Sequence, residues 1–196
     1  MKLKKWEIGL TVSLVLLVVT CGIPVYQQGR LADKLTRLHV VANSDAAEDQ
    51  ALKLQVRDAV LAEIQPEDRP EDPALLLRLQ AAAEKAVERN GAKQTVRVYR
   101  TRMFFDTRVY DTFSLPAGMY DAVRVELGAA EGRNWWCVLF PPLCAGACQE
   151  DLTEIGVGAG LTEHEISYIS GKGTNYMIRF KIAEWWGNLC KWVADM

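Results

Sequence analysis

The chain has 196 residues, 49% of them apolar, which is enough for one globular domain with its own core and leaves room only for an appendage. Its 23 basic and 25 acidic residues are interspersed, with a formal net charge of −2, so no basic stripe exists for a nucleic acid to follow.

Lys2, Lys4 and Lys5 precede an uncharged run from Ile8 to Tyr26. As a helix rising about 1.5 Å per residue it would reach roughly 28 Å, close to one bilayer core. It has no polar face, so residues 1–29 are expected to form a transmembrane anchor or uncleaved signal segment, with the lysines cytoplasmic and everything after Tyr26 on the other side. No good small-x-small cleavage site is present. "VVTC", ending at Cys21, faintly resembles a lipoprotein box, with Thr20 where a smaller residue is expected.

Leu38–Ala42 reads as a short β-type run. "NSD" follows, and Asp45 with Glu48 has the spacing of a capping box, so a helix is expected to start there. Leu52, Val56, Ala59, Val60 and Ile64 recur at the helical period, and Pro66 marks its end. After the polar "PEDRPEDP", Asp72 and Pro73 are a good N-cap and first-turn pair. Leu75, Leu76, Leu79, Ala83, Ala86 and Val87 then carry a second amphipathic helix to the stop signal Asn90-Gly91.

From Thr95 the period becomes two. "TVRVYR", "MYDAVRVEL" and "NWWCVLF" are antiparallel strand candidates, and "GAAEGRN" between the last two reads as a hairpin loop. The glycine-rich stretch within 145–172 is expected to be a flexible connection. Residues 173–196 begin strand-like and become a helix with the stripe Ile182, Trp186, Leu189, Val193 and Met196, expected to pack on the core. The fold class is therefore α+β: after the N-terminal segment, one two-layer domain, core 30–144, with a mixed, mainly antiparallel sheet on two to three helices.

Cys137, Cys144, Cys148 and Cys190 lie beyond the apolar run, an even number in a chain expected to leave the cytoplasm. Four cysteines allow three pairings. Cys137 with Cys144 is favoured, because "CVLFPPLC" has two prolines where the chain can turn back, leaving Cys148 to pair with Cys190 or stay free. With no C-x-x-C and no histidine near the cysteines in sequence, a zinc site is disfavoured.

Other chemical motifs fail on their own terms. "GVGAG" is not G-x-G-x-x-G, and "HEISY" has Tyr168 where a second zinc-binding histidine would stand. "FDTR" occurs once and has Arg108 in place of the glycine of an aspartic-protease triplet. A hydrolase using Cys137 as nucleophile and His39 as base is the enzymatic alternative, and a cell-wall-binding module is a third reading. Asp45 and Asp49 sit where acids stabilise a helix start. Asp49 and Lys53 are spaced for a solvated pair. The functional reading of this stretch is a surface that a partner reads, comprising His39, Asn43, Ser44, Asp45, Asp49, Gln50, Lys53 and Arg57.

"LHVVANSDAAEDQALKLQVRDAVL" and "LPAGMYDAVRVELGAAEGRNWWCVLFPPLC" together resemble the stage II sporulation protein R family of endospore-forming bacteria, over roughly Leu35 to Cys144. The resemblance implies a signalling protein exported from the forespore across the septal membrane. There it would switch on a membrane-bound aspartic protease of the mother cell, which removes the pro-sequence of the sigma-E precursor. It implies no catalytic residues, cofactor, metal or small-molecule substrate, and contact with the membrane only through the N-terminal helix.

Overall fold

The structure, a computed structural model, describes residues 4–65, 67–110, 113–143, 152–158 and 160–170, excepting the side chains of 17–25, 152 and 154. Two compact units divide the chain. One joins Asp33–Met103 with Tyr120–Ile166, and the other joins Met1–Ala32, Phe104–Met119 and Ser167–Met196.

Helix α1, Lys5–Asp33, runs through the uncharged segment, with Ile8, Leu10, Val12 and Leu14 exposed. Among the described residues no helix is long and apolar enough to cross a membrane, so the expected span is not confirmed.

Strand β1, Thr36–Val41, is followed by helices α2, Ala47–Ala62, and α3, Pro73–Arg89. Strands β2, Val96–Phe105, β3, Arg108–Val109, β4, Ser114–Leu115, β5, Gly118–Leu127, and β6, Asn134–Phe140, come next. The main sheet has the order β2-β5-β1-β6. β1 is parallel to β5 and antiparallel to β6.

Within the described residues the helices and strands predicted between Leu38 and Phe140 form where the hydrophobic periods place them, but the predicted hairpin does not. β5 and β6 are not neighbours, because β1 lies between them and bonds to both. Its six residues are all buried, and a strand buried on both faces is most stable in a sheet's interior, where both its edges are paired.

One face of the sheet carries the core. Leu38 stands beside Val123 and Cys137, and Val40 beside Val125 and Trp135. These pack with Leu52, Val56 and Val60 of α2 and with Leu75, Leu79 and Ala83 of α3. At about 25 cal/mol per Å² of apolar surface, each such buried aliphatic contributes roughly 1.5–3 kcal/mol.

The caps of α3 match expectation. The Asp72 carboxylate accepts from Ala74 N at 2.9 Å with Pro73 in the first turn, and Gly91, at φ 69°, lets Ala92 N reach Val87 O at 3.1 Å and Gly91 N reach Glu88 O at 2.9 Å. Asp72→Ala should lose about 1 kcal/mol of stability, read as a lower denaturation midpoint with an unchanged slope. The capping box of α2 is not formed. Ala46 is its N-cap, without a side-chain bond, because Asp45 is drawn away to another loop.

The glycine-rich stretch expected to be a flexible connection contains two short helices, α4, Leu152–Gly158, and α5, Glu163–Ile169. They are tied down by Gly156 packed against Ile166, by Leu161 N on Gly156 O at 2.8 Å, and by the Lys34–Glu165 ion pair at 2.7 Å. The low apolar periodicity hid them because each is barely two turns long. The predicted strand and helix of 173–196, with Cys144, Cys148 and Cys190, lie outside the described residues.

In the other unit, β3 and β4 form a small antiparallel hairpin in which Tyr110 and Phe113 stack at 4.6 Å. Gly118 lies directly against the Gln28 side chain.

Candidate functional site

The polar stretch after β1 folds into a network that binds two loops to each other. The Ala42–Ala46 turn leaves β1, and the 128–133 loop crosses over it on the way from β5 to β6. Backbone bonds join them, Gly132 N to Ala42 O at 2.9 Å and Glu131 N to Asn43 O at 3.2 Å. Gly132 is close enough to the Ser44 carbonyl that a Cβ there would overlap it.

Side chains complete the junction. Asn43 donates through Nδ2 to Asp49 Oδ2 at 2.8 Å and accepts at Oδ1 from Ala129 N at 2.9 Å. Ser44 Oγ donates to the same carboxylate oxygen at 2.6 Å, and Gln94 donates to the other. These donors, Ser44 first and then Asn43, hold the Asp49 carboxyl below the usual range. Gln50 donates to Ser44 O at 2.9 Å and accepts from Lys53 Nζ at 2.7 Å. Lys53 also donates to Arg133 O at 3.0 Å, and burial, with Arg133 nearby, lowers its pKa. Asp45 accepts from Arg133 N at 2.7 Å.

Asp49 and Lys53 therefore do not form the solvated pair that their spacing suggests. Each has internal partners, and Lys53 is buried. Of the eight residues named from sequence, Asn43, Ser44, Asp45, Asp49, Gln50 and Lys53 come together at the junction. Asp45 is exposed there, its side chain 64% accessible. Arg57, farther along α2, lies 4.8 Å over the Trp135 ring and is bonded to Asp58 at 2.8 Å.

His39 is placed elsewhere. Residues alternate across a strand, so His39 projects from the sheet face opposite α2 and α3. It is buried, and Nε2 donates to Asn134 Oδ1 at 2.7 Å beside the edge of Trp136. Burial, reinforced by Arg124 and Arg37 against the Asn134 bond and Glu126, lowers its pKa to about 4.

The sign follows from linkage. The unfolded imidazole takes up a proton near its usual 6.5 while the folded one does not until about 4, so stability is lost as pH falls between those values, by about 3 kcal/mol in full. His39→Gln should flatten that part of the curve in chemical denaturation. A variant as acid-sensitive as the parent across this window would overturn the assignment.

The same face holds charged groups that sequence reading passed over. Arg37 is fully buried over the Tyr120 ring at 5.2 Å. Glu126 accepts from Tyr99 Oη at 2.8 Å and is ion-paired with Arg124 at 2.8 Å and with Arg97 at 2.6 Å. Burial opposes its ionisation, yet the Tyr99 bond and the two guanidinium charges hold its carboxyl below the ordinary range. Alternation in "VRVYR" and "YDAVRVEL" marks strands but does not say that their polar positions are buried. The available signal was the match of basic and acidic residues at facing alternate positions.

Cys137 and His39 are on opposite faces of the sheet. Leu38, not His39, is the register partner of Cys137, and Cys137 belongs to the helix-side core. Its sulfur is disulfide-bonded, with the partner outside the described residues. A thiolate and imidazole within hydrogen-bond reach are thus not assembled here. Among the described residues no group of three or more His, Cys, Asp or Glu side chains could hold a metal ion.

Residues 32–150 match the model of the family described as stage II sporulation protein R. A curated Bacillus subtilis (strain 168) protein named Stage II sporulation protein R is 40% identical over 123 residues, covering 58% of this chain and 55% of that protein. The chain thus spans about half the length of the curated relative it matches. No solved structure matches it.

Proposed function

The chain belongs to the stage II sporulation protein R family, a sporulation family, and from that premise we propose that it is an intercompartmental signal acting by contact. Exported across the septal membrane, it activates a membrane-bound aspartic protease of the mother cell, and the protease processes the sigma-E precursor. The chain itself makes and breaks no bonds.

The observation that carries this reading is the locked junction between the 42–46 turn and the 128–133 loop. Groups that looked available for acid-base chemistry hold one another, producing a rigid surface with Asp45 and Arg133 at its rim. A rigid surface pays little ordering entropy when a partner binds. The partner-binding surface is Asp45 with the outer face of α2 around Arg57, supported from beneath by Asn43, Ser44, Asp49, Gln50 and Lys53. The exposed apolar side chains of α1 support a seat in lipid, and the two cysteines of "CVLFPPLC", Cys137 and Cys144, are the pair we assign to the disulfide.

Activation needs only differential affinity. Reversing a 1:99 population to 99:1 takes about 5.5 kcal/mol of preference for the active form, within the reach of a modest interface. The test is co-expression of the full chain with the protease and the sigma precursor in a host lacking sporulation genes. Processing that appears only when all three are present supports the reading, and unprocessed precursor beside folded chain and protease would sink it.

A further inference from the structure

We propose that the outer edge of β2, at Arg100 and Arg102, accepts an extended acidic segment of another protein as an added strand. The site is independent of the signalling surface described above.

β2 is an end strand of the sheet, and Arg97, Tyr99, Arg100 and Arg102 are all exposed. Thr95 O accepts from Gly128 N, just beyond the end of β5, at 2.8 Å. By alternation, the backbone groups of Val96, Val98, Arg100 and Arg102 turn the other way, toward the open edge.

The first of these positions are already covered by a surrogate strand. Gln80 of α3 donates through Nε2 to Val96 O at 2.9 Å, and its Oε1 accepts from Val98 N at 2.8 Å. Its second amide hydrogen reaches Glu84 Oε1 at 2.6 Å, which fixes the orientation of the amide. One side-chain amide thereby satisfies the edge as a neighbouring peptide group would, and it sets where an added strand must stop. Among the described residues, no side-chain bond of this kind reaches Arg100 or Arg102.

Charge selects the occupant. Arg100 meets Asp121 only at 4.0 Å, and Arg102 meets it at 3.9 Å, with Asp33 at 2.9 Å from Arg102. Exposed pairs of this kind contribute little, so incoming carboxylates can take these guanidinium groups over at small cost. Arginines on an open edge also repel basic strands, which discourages indiscriminate pairing. Main-chain bonds would give affinity, and alternate acidic side chains would give selectivity.

The test uses the full chain and a fluorescent peptide alternating Glu and Val, read by anisotropy. Saturable binding is expected. It should weaken about tenfold or more with Arg100→Glu and Arg102→Glu together, and by as much when alternate peptide amides are N-methylated. A Lys-Val peptide should not bind. The methylated peptide is measured against unaltered protein, so the result stands even if the double variant misfolds. No saturable binding, equal affinity for the methylated peptide, or equal affinity of a folded double variant would each overturn the proposal.

Discussion

Gly132→Ala is expected to lower stability by about 3 kcal/mol and to abolish signalling. The added carbon would overlap the Ser44 backbone carbonyl, which cannot rotate aside as a side chain can, because that carbonyl also accepts from Gln50. Overpacking of this kind costs about 1–3 kcal/mol where the surroundings adjust, and the two backbone bonds of the junction would have to lengthen together here. Gly91→Ala is the control. Gly91 has φ 69° but open space around it, so alanine there should cost only about 1 kcal/mol. Denaturation midpoints for the two variants decide the matter. If Gly132→Ala is the milder, the close approach of the two loops is not what holds the turn.

The second prediction concerns Arg57→Glu, which should reduce precursor processing about tenfold or more in the co-expression assay with little loss of stability. Arg57 is held over Trp135 and bonded to Asp58, both at the outer surface of α2 and β6. Losing the ring contact costs about 0.5–1 kcal/mol, a shift of a few degrees in Tm. A reversed charge at a partner interface costs more, because it leaves the partner's group facing repulsion. Arg57→Lys, keeping the charge but not the planar stack, should recover part of the activity. Equal loss of processing and of melting temperature in Arg57→Glu would show that the residue is structural.

How much could be read from sequence depended on whether the deciding interactions were local. α3 was legible in full, since its apolar period, the Asp72-Pro73 start and the Asn90-Gly91 stop act within a few residues of one another. β2, β5 and β6 were legible as strands, but their neighbours were not. Nothing local says that β1 separates β5 from β6, since that placement rests on pairing between residues as far apart as Thr36 and Phe140. The candidate site shows the same limit. Asp49 and Lys53 have the spacing of a surface pair, yet Asp49 is bonded to Gln94 and Lys53 to Arg133, 45 and 80 residues away along the chain. A buried polar face is likewise invisible to a pattern that equates alternate charges with solvent. His39 and Arg37 look like surface residues in the sequence, yet both are buried.

The insertion of β1 also dictates an order of assembly. The ribosome delivers a polypeptide from its amino end, yet this strand stays without either neighbour until late in delivery, since Thr36 must wait for Asp121 and Phe140, its partners in β5 and β6. Such distant closure makes for slow maturation. Until Phe140 has emerged, the sheet lacks its last strand and β1 keeps one edge unpaired.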